Sequence, residues 1–470
     1  MSSSNMKIKR RDDLCAVFVH AGAGYHSKEN EKKHLEVCEL AVEAGMTVLR
    51  HGGTAIDAVE VSITVLENAP ITNAGFGSNL NEKGVVECDA SIVDHFGRSG
   101  AAGAVPHVKN PIQLARRIYE KAHQSPGMSR VPPNLLCGEG AADFAWQNKV
   151  VIVPDEALVS PNARQRWQNW CNEIAEYEED HPESKDQQDD NWYRRLPTTL
   201  STHLSRFPAE IKKKMDVART ISGDSPDEDT KTSKEIDGAP DDSSQADSST
   251  NPSRASGPGR LRSQSYINTA SRNEIDDITD TVGAIAVDQY GNIAAGSSSG
   301  GIGMKHQGRI GPAALIGIGT HVIPVDPSDE EKASVAVVTS GTGEHIASTF
   351  SANTCATRIY FGQKMGPGGV FDEVTEDEAI SAMIVNEFSG HPALENSEIA
   401  GSIGIMAVKR SNHGIHLLFA HNTDSFALAS MSSRDTKAKC VMSRKQNLGH
   451  VAQGGSMIRS YIRTPNATRG

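Results

Sequence analysis

Residues 280–301 read DTVGAIAVDQYGNIAAGSSSGG. Thr281 to Asp288 is an apolar run of strand length, Gly291-Asn292 supplies a turn, and Ile293 to Gly296 begins a return strand. The stretch therefore predicts a β-hairpin. Order begins abruptly at Thr281. Residues 221–280 carry 13 Asp/Glu against 6 Lys/Arg, with 12 Ser and seven large apolar side chains. Such a segment buries too little surface to offset its ordering entropy, so it is expected to be a disordered acidic tether. A tether that ends at Asp280 and meets a core strand at Thr281 has two readings. It is a plain inter-domain linker, or the chain cuts itself between Asp280 and Thr281. In the second reading Thr281 becomes a new N-terminus. Its hydroxyl is then a nucleophile, and its α-amine, with an ordinary pKa of about 7.7–8.0, is a general base. A threonine inside a chain lacks that base, because an amide nitrogen is not basic.

Outward from the hairpin, residues 14–155 are apolar and punctuated by glycine. Leu14 to His20 reads as a buried strand. Leu35, Cys38, Val42, Met46 and Leu49 recur at helical spacing up to Gly52-Gly53. A second helix follows, with Thr54 as candidate N-cap and Ile56, Val59, Ile63 and Leu66 on one face. A glycine-rich turn region, NAGFGSNLN, spans Asn73 to Asn81, and Val85 to Val93 reads as a strand. Residues 156–220 are polar and charge-mixed, with Trp167, Trp170 and Trp192, and suit a helical insertion. After the hairpin, strands are expected at Ser334–Val338, Ile403–Val408 and Ile415–Ala420, with helices near 345–363 and 374–388. The division is thus 14–155, an insertion at 156–220, the tether 221–280, and 281–470.

Composition narrows the classes. A formal net charge of −12 over 470 residues argues against a general nucleic-acid-binding surface. No apolar run reaches the length of a membrane span, and Leu14 to Val19 is too short for a secretory signal core. A soluble intracellular protein is expected. Seven cysteines, at 15, 38, 88, 137, 171, 355 and 440, are scattered without a CxxC pair. That pattern suits reduced thiols, with no disulfide framework, metal site or cofactor.

Six stretches, in order, resemble the type-2 asparaginase family of N-terminal nucleophile hydrolases. They are HAGAGYHS (20–27), ENAPITNAGFGSNLNEKGVVECDASIVD (67–94), KNPIQLARR (109–117), the hairpin stretch 280–301, KHQGRIGPAALIG (305–317) and TSGTGEH (339–345). They lie along residues 14–150 and 280–440. HAGAGYHS, SNLN and ECDASI resemble the threonine aspartase (taspase) branch, where other branches usually read HGGAG. The resemblance implies an α+β fold, a four-layer α-β-β-α sandwich. It implies autocleavage at Asp280-Thr281, with Thr281 as the nucleophile and Ser299 as a second hydroxyl beside it. Arg309 would hold a substrate carboxylate. Ser340 and Gly341 would occupy the substrate and oxyanion positions, and Gly22, Tyr25 and Asn73 would approach from the N-terminal half. It further implies a threonine endopeptidase cutting after aspartate in protein substrates, nuclear transcription regulators among them, from the nucleus or cytoplasm. An αβ or (αβ)₂ assembly would form after processing.

The residue types suit acyl transfer, which needs a nucleophile, a base and donors for an oxyanion; arginine can grip a carboxylate bidentately. Each residue also has a plain alternative. Arg309 suits a surface salt bridge, Ser299 a hairpin hydroxyl, Ser340 a helix N-cap near residue 344, and Tyr25 and Asn73 turn packing. His20 and His26 read as structural. Three features depart from the wider family: Pro312 stands where asparaginases carry an aspartate after GR(I/V)G, the tether is very long, and no bipartite nuclear-import signal is evident. The basic runs Lys7 to Arg11 and Lys212 to Lys214 read as solvated surface. The runner-up activity is a small-molecule asparaginase or β-aspartyl peptidase. A non-catalytic binding protein using its acidic loop is disfavoured, because Thr281, Ser299 and Arg309 are all present.

Overall fold

The strand β1 (Ala16–Gly24) is buried along both faces, which is why its sequence runs apolar without alternation. Val17 and Val19 face one core and Ala16 and Phe18 another. The computed structural model describes residues 14–124, 127–180, 281–397, 399–446 and 451–460. Asp280, Trp192, Lys212 to Lys214 and the rest of 181–280 lie outside the described residues.

After β1 come the helices α1 (Glu31–Arg50) and α2 (Ala55–Glu67), then the strands β2 (Cys88–Val93) and β3 (Ser99–Val105). Next are α3 (Pro111–Ala122), β4 (Leu135–Cys137), α4 (Gly138–Gln147) and α5 (Pro161–Asp180). The second half opens with the hairpin strands β5 (Val282–Val287) and β6 (Ile293–Ser299), then β7 (Thr320–Ile323) and β8 (Ser334–Gly341). The helices α6 (Gly343–Ser348) and α7 (Ser351–Phe361), a small β9–β10 pair (Gln363–Met365, Phe371–Glu373) and α8 (Glu376–Ala382) follow. The chain closes with β11 (Ile403–Ser411), β12 (Gly414–His421), β13 (Ser425–Ser432), β14 (Lys439–Arg444) and β15 (Ala452–Arg459).

These strands form an eight-stranded sheet, β14-β13-β1-β5-β6-β2-β3-β4, and a five-stranded sheet, β15-β12-β11-β8-β7. Phe18, Ile285 and Phe426 pack against Val338, Met406 and Val408 between the two sheets. Val42, Met46, Val59 and Ile63 of α1 and α2 cover the outer face of the large sheet, meeting Val17, Val282 and Ala284. Cys355, Ile359 and Ile380 of α7 and α8 cover the outer face of the small sheet. The result is the four-layer α-β-β-α sandwich. Emptying its centre, as Phe18→Ala would, costs about 3–5 kcal/mol.

The N-cap at Thr54 is a capping box closed by Asp57. The hairpin turns at Gly291, whose φ of +69° suits glycine. Other boundaries shift for local reasons. The strand expected from Val85 starts only at Cys88, because the backbone of Val85 is spent on a turn closed by Asn81. The helix expected over 345–363 breaks at Phe350, which has φ +49°, into α6 and α7. Over 374–388, α8 passes into a π-helical turn, Met383–Ser389. All seven cysteines carry free thiols.

Candidate active site

The hairpin register aligns the site. Val282 pairs with Ser298, so extending the ladder by one residue sets Thr281 opposite Ser299. Ser299 pairs in turn with Asp89 of β2. Directly opposed residues share a face of a sheet. Thr281, Ser299 and Asp89 therefore form a row across three strands, facing the small sheet.

Thr281 is buried, and its backbone N–H donates to Ser340 Oγ at 3.2 Å. The same oxygen accepts the Ala23 N–H at 3.0 Å. Ser340 is thus no helix cap; α6 is led by Thr342, and Ser340 fastens the end of β8 to β1 and to Thr281. Gly22, with φ +107°, lies in the β1 irregularity between His20 and Ala23 that precedes this contact. Gly341 ends β8, paired with Ile403. Ser299 Oγ accepts the Gly301 N–H at 3.0 Å. Asn73 secures the same corner: its Nδ2 donates to Gly301 O at 2.8 Å and its carbonyl accepts from Gly300 N at 2.8 Å. Tyr25, by contrast, is half exposed and lines a cavity of about 400 Å³ with His26, Lys28, Asp424 and Arg444.

Arg309 lies at the far end of the loop that follows Ser299. Its Nε and Nη2 both donate to Glu344 Oε1, at 2.9 and 2.8 Å. Three glycines make room for the guanidinium: a Cβ at Gly301, Gly311 or Gly343 would stand within 3.0 Å of a terminal nitrogen. The turn carrying Arg309 is fastened on both sides by carboxylates, one just before β2 and one within it. Glu87 accepts from Gly308 N at 3.0 Å, and Asp89 accepts from Gly311 N at 2.7 Å and Ala104 N at 2.8 Å. Burial pushes the Asp89 carboxyl up, against the pull of Lys305, the two N–H donors and Arg309. Lys305, itself buried, donates from Nζ to Glu87 O at 2.6 Å.

Glu87, Asp89, Lys305 and Glu344 escape sequence reasoning as site residues. The signal for the first two is visible in ECDASI: acidic residues alternating within an otherwise apolar strand. Two further buried groups border the hairpin. His20, opposite Gly283, is held neutral by burial, down to about 3, against an upward pull from the Thr281 backbone. On the helix side Glu67 accepts from Ser298 Oγ at 2.7 Å and Ile112 N at 2.9 Å, and burial pushes it up to about 8. Among the described residues, no cluster of His, Cys, Asp and Glu is arranged to hold a metal, and no helix is long and apolar enough to cross a membrane.

The site thus offers a threonine at a strand start, a second hydroxyl beside it and a caged arginine. A sequence profile described as asparaginase (Asparaginase_2) matches residues 14–200 and 226–412. An isoaspartyl peptidase/L-asparaginase of Danio rerio is 40% identical over 157 residues, 33% of this chain and 47% of the relative. The Homo sapiens protein of the same name is 41% identical over 152 residues, 32% of this chain and 46% of the relative. These matched stretches span about half the length of the relatives. An isoaspartyl peptidase of Salmonella typhimurium is 26% identical over 352 residues, 74% of this chain and 79% of the relative.

Proposed function

The chain belongs to the Asparaginase_2 family of N-terminal nucleophile hydrolases, and from that premise we propose a self-processing threonine endopeptidase that cuts after aspartate. The observation that carries the nucleophile assignment is the Thr281 nitrogen held on Ser340 Oγ, with Ser299 opposite in the ladder.

Processing begins when Thr281 Oγ attacks the Asp280 carbonyl carbon. The peptide C–N bond breaks, the nitrogen takes the hydroxyl proton, and the acyl group rests on Oγ as an ester. Water then hydrolyses the ester, giving an Asp280 carboxylate and a Thr281 with free amine and hydroxyl. In turnover the amine takes the Oγ proton as Oγ attacks the substrate carbonyl, and donors at Ser340 and Gly341 meet the developing oxyanion. The amine's proton passes to the leaving nitrogen, and water releases the acyl group. Ser340 Oγ, already beside the Thr281 nitrogen, orients that amine.

Arg309 is suited to the aspartate carboxylate before the scissile bond. The cage of glycines keeps side chains of its own off the guanidinium, so a substrate carboxylate has the exposed Glu344 carboxylate to displace from the fork. Pro312 provides no acidic partner for a free α-ammonium, which favours a peptide over a free amino acid. Substrates would be proteins, nuclear transcription regulators among them, met in the nucleus or cytoplasm by an αβ or (αβ)₂ enzyme; the likeness to threonine aspartases supports that reading.

A second reading, isoaspartyl peptidase or asparaginase, is favoured by the names of the relatives and by Glu344. That carboxylate, more than half exposed beside Arg309, could receive an α-ammonium where Pro312 cannot. One assay separates the two. The purified chain is followed on a denaturing gel for pieces 1–280 and 281–470, and the processed enzyme is offered an aspartyl peptide, its asparaginyl counterpart, an isoaspartyl dipeptide and free asparagine. Cleavage of the aspartyl peptide at least tenfold faster than the asparaginyl one supports the endopeptidase; ammonia from asparagine with the peptide intact assigns the second activity. A Thr281→Ala chain that is still cut after residue 280 removes the nucleophile assignment altogether.

A further inference from the structure

The helix α5 is mostly solvated, and only Ala163 and Arg166 are fully buried along it. A buried arginine on an exposed helix is unusual and calls for a compensating set of contacts. The Arg166 guanidinium reaches the NAGFGSNLN loop. Its Nη2 and Nε donate to Asn79 Oδ1 at 3.2 and 3.3 Å, and Nη2 also reaches Gly77 O at 3.3 Å. Trp170 lies against Gly303, where a Cβ would come within 1.9 Å of the ring. The helix thereby touches both loops that enclose the corner after Ser299.

Asn79 passes the contact onward. Its Oδ1 is committed to Arg166, so its Nδ2 must face the other way, where it donates to Gly301 O at 3.2 Å. A flipped amide would set its NH₂ against the guanidinium and its oxygen against the Gly301 carbonyl. Gly301 N in turn donates to Ser299 Oγ. The route from Arg166 to the hydroxyl opposite Thr281 is therefore continuous: guanidinium, Asn79 amide, the Gly301 carbonyl and, across its Cα, the Gly301 N–H, then Ser299. The same glycine borders Arg309.

We infer that Arg166 is a positioning residue for the active site, acting through Asn79 and the backbone on both sides of Gly301 on Ser299, and that α5 is a working part of the enzyme. The inference rests on Thr281 being the nucleophile, as proposed above. Removing the guanidinium lets the Asn79 amide flip, which leaves the Gly301 carbonyl on Asn73 Nδ2 alone; the backbone about Gly301 loosens, and the orientation of Ser299 relaxes while the sandwich stays intact.

The test uses Arg166→Met, which keeps the apolar stem against the loop and removes the donors, with Asn79→Ala as the second variant. Self-processing and kcat on the aspartyl peptide should fall by about tenfold or more in each, with the unfolding midpoint held. The double variant should be no worse than either single one, because both lie on one route. Arg166→Met placed on Ser299→Ala should add nothing. A readout independent of catalysis uses the uncut Thr281→Ala chain: amide exchange at Gly300 and Gly301 should quicken on Arg166→Met. Unchanged exchange and turnover, losses that simply track thermal stability in both variants, or fully additive losses overturn the inference. If Thr281→Ala leaves cutting and activity intact, the nucleophile assignment fails while the exchange result still judges the role of Arg166.

Discussion

Glu344 occupies the fork that a substrate carboxylate would need, so Glu344→Gln makes a decisive perturbation. Both of its hydrogen bonds from Arg309 converge on one oxygen, and its side chain is 59% exposed against 15% for Arg309. A pair so open to water is worth about 0.5–1 kcal/mol. Displacing it costs the substrate that amount, and the two carboxylates repel as they exchange. Neutralising Glu344 should therefore lower KM for an aspartyl peptide about two- to fivefold, with kcat little changed. The gain should shrink as salt is raised, since the competing pair is screened. Initial rates of the processed enzyme at low and high ionic strength measure both effects. A KM that rises in Glu344→Gln, at either salt, would mean that the carboxylate holds Arg309 in its working position and does not compete for it. With free asparagine the opposite sign is informative: a rise in KM there would show Glu344 receiving the α-ammonium.

Ser299→Ala should leave the fold intact and lower peptide turnover by on the order of 10²-fold; unchanged kinetics would reduce Ser299 to a hairpin hydroxyl. Arg309→Lys keeps the charge but loses the planar fork, and should not restore more than about a tenth of activity on the aspartyl peptide. Stability should peak near neutral pH. His20, down to about 3, and His421, down to about 4, stay unprotonated in the fold while the unfolded chain takes protons below about 6.5, so stability falls on acidification. Glu67, up to about 8, keeps its proton in the fold while the unfolded chain has lost it, so stability also falls as pH rises from its ordinary value of 4.5 towards 8. Urea midpoints from pH 5 to 8 test this, and Glu67→Gln should flatten the alkaline limb alone; a limb that persists in that variant assigns it elsewhere.

The hairpin was legible because its signal is local: a turn glycine between two apolar runs, and a sharp change in composition at Thr281. The helices α1 and α2 were legible for the same reason, since periodicity and a cap lie within a few residues of each other. The fastening of Arg309 was not. Glu87 and Asp89 meet Gly308 and Gly311 across more than 200 positions of chain, and no local pattern records which backbone N–H a buried carboxylate will find. Glu344 belongs to the TSGTGEH stretch, yet its ion pair with Arg309 depends on α6 turning back over the loop. The tryptophans at 167 and 170 announced docking, but Arg166 between Ala163 and Trp167 resembled any solvated helix charge. The edge strands β14 and β15 leave little trace in the sequence, because their exposed, mixed side chains carry weak alternation.

The position of β1 has a kinetic consequence. It belongs to the first half of the chain yet lies between β5 and β13 of the second. A cut before Thr281 would leave two polypeptides woven through one sheet, unable to part without tearing its centre. The uncut protein, once unfolded, refolds as a single molecule at a rate indifferent to dilution. The cut protein must find its other piece first, so its recovery slows as it is diluted. Processing would thus turn a chain that folds alone into a pair that keeps its structure chiefly because it has never come apart.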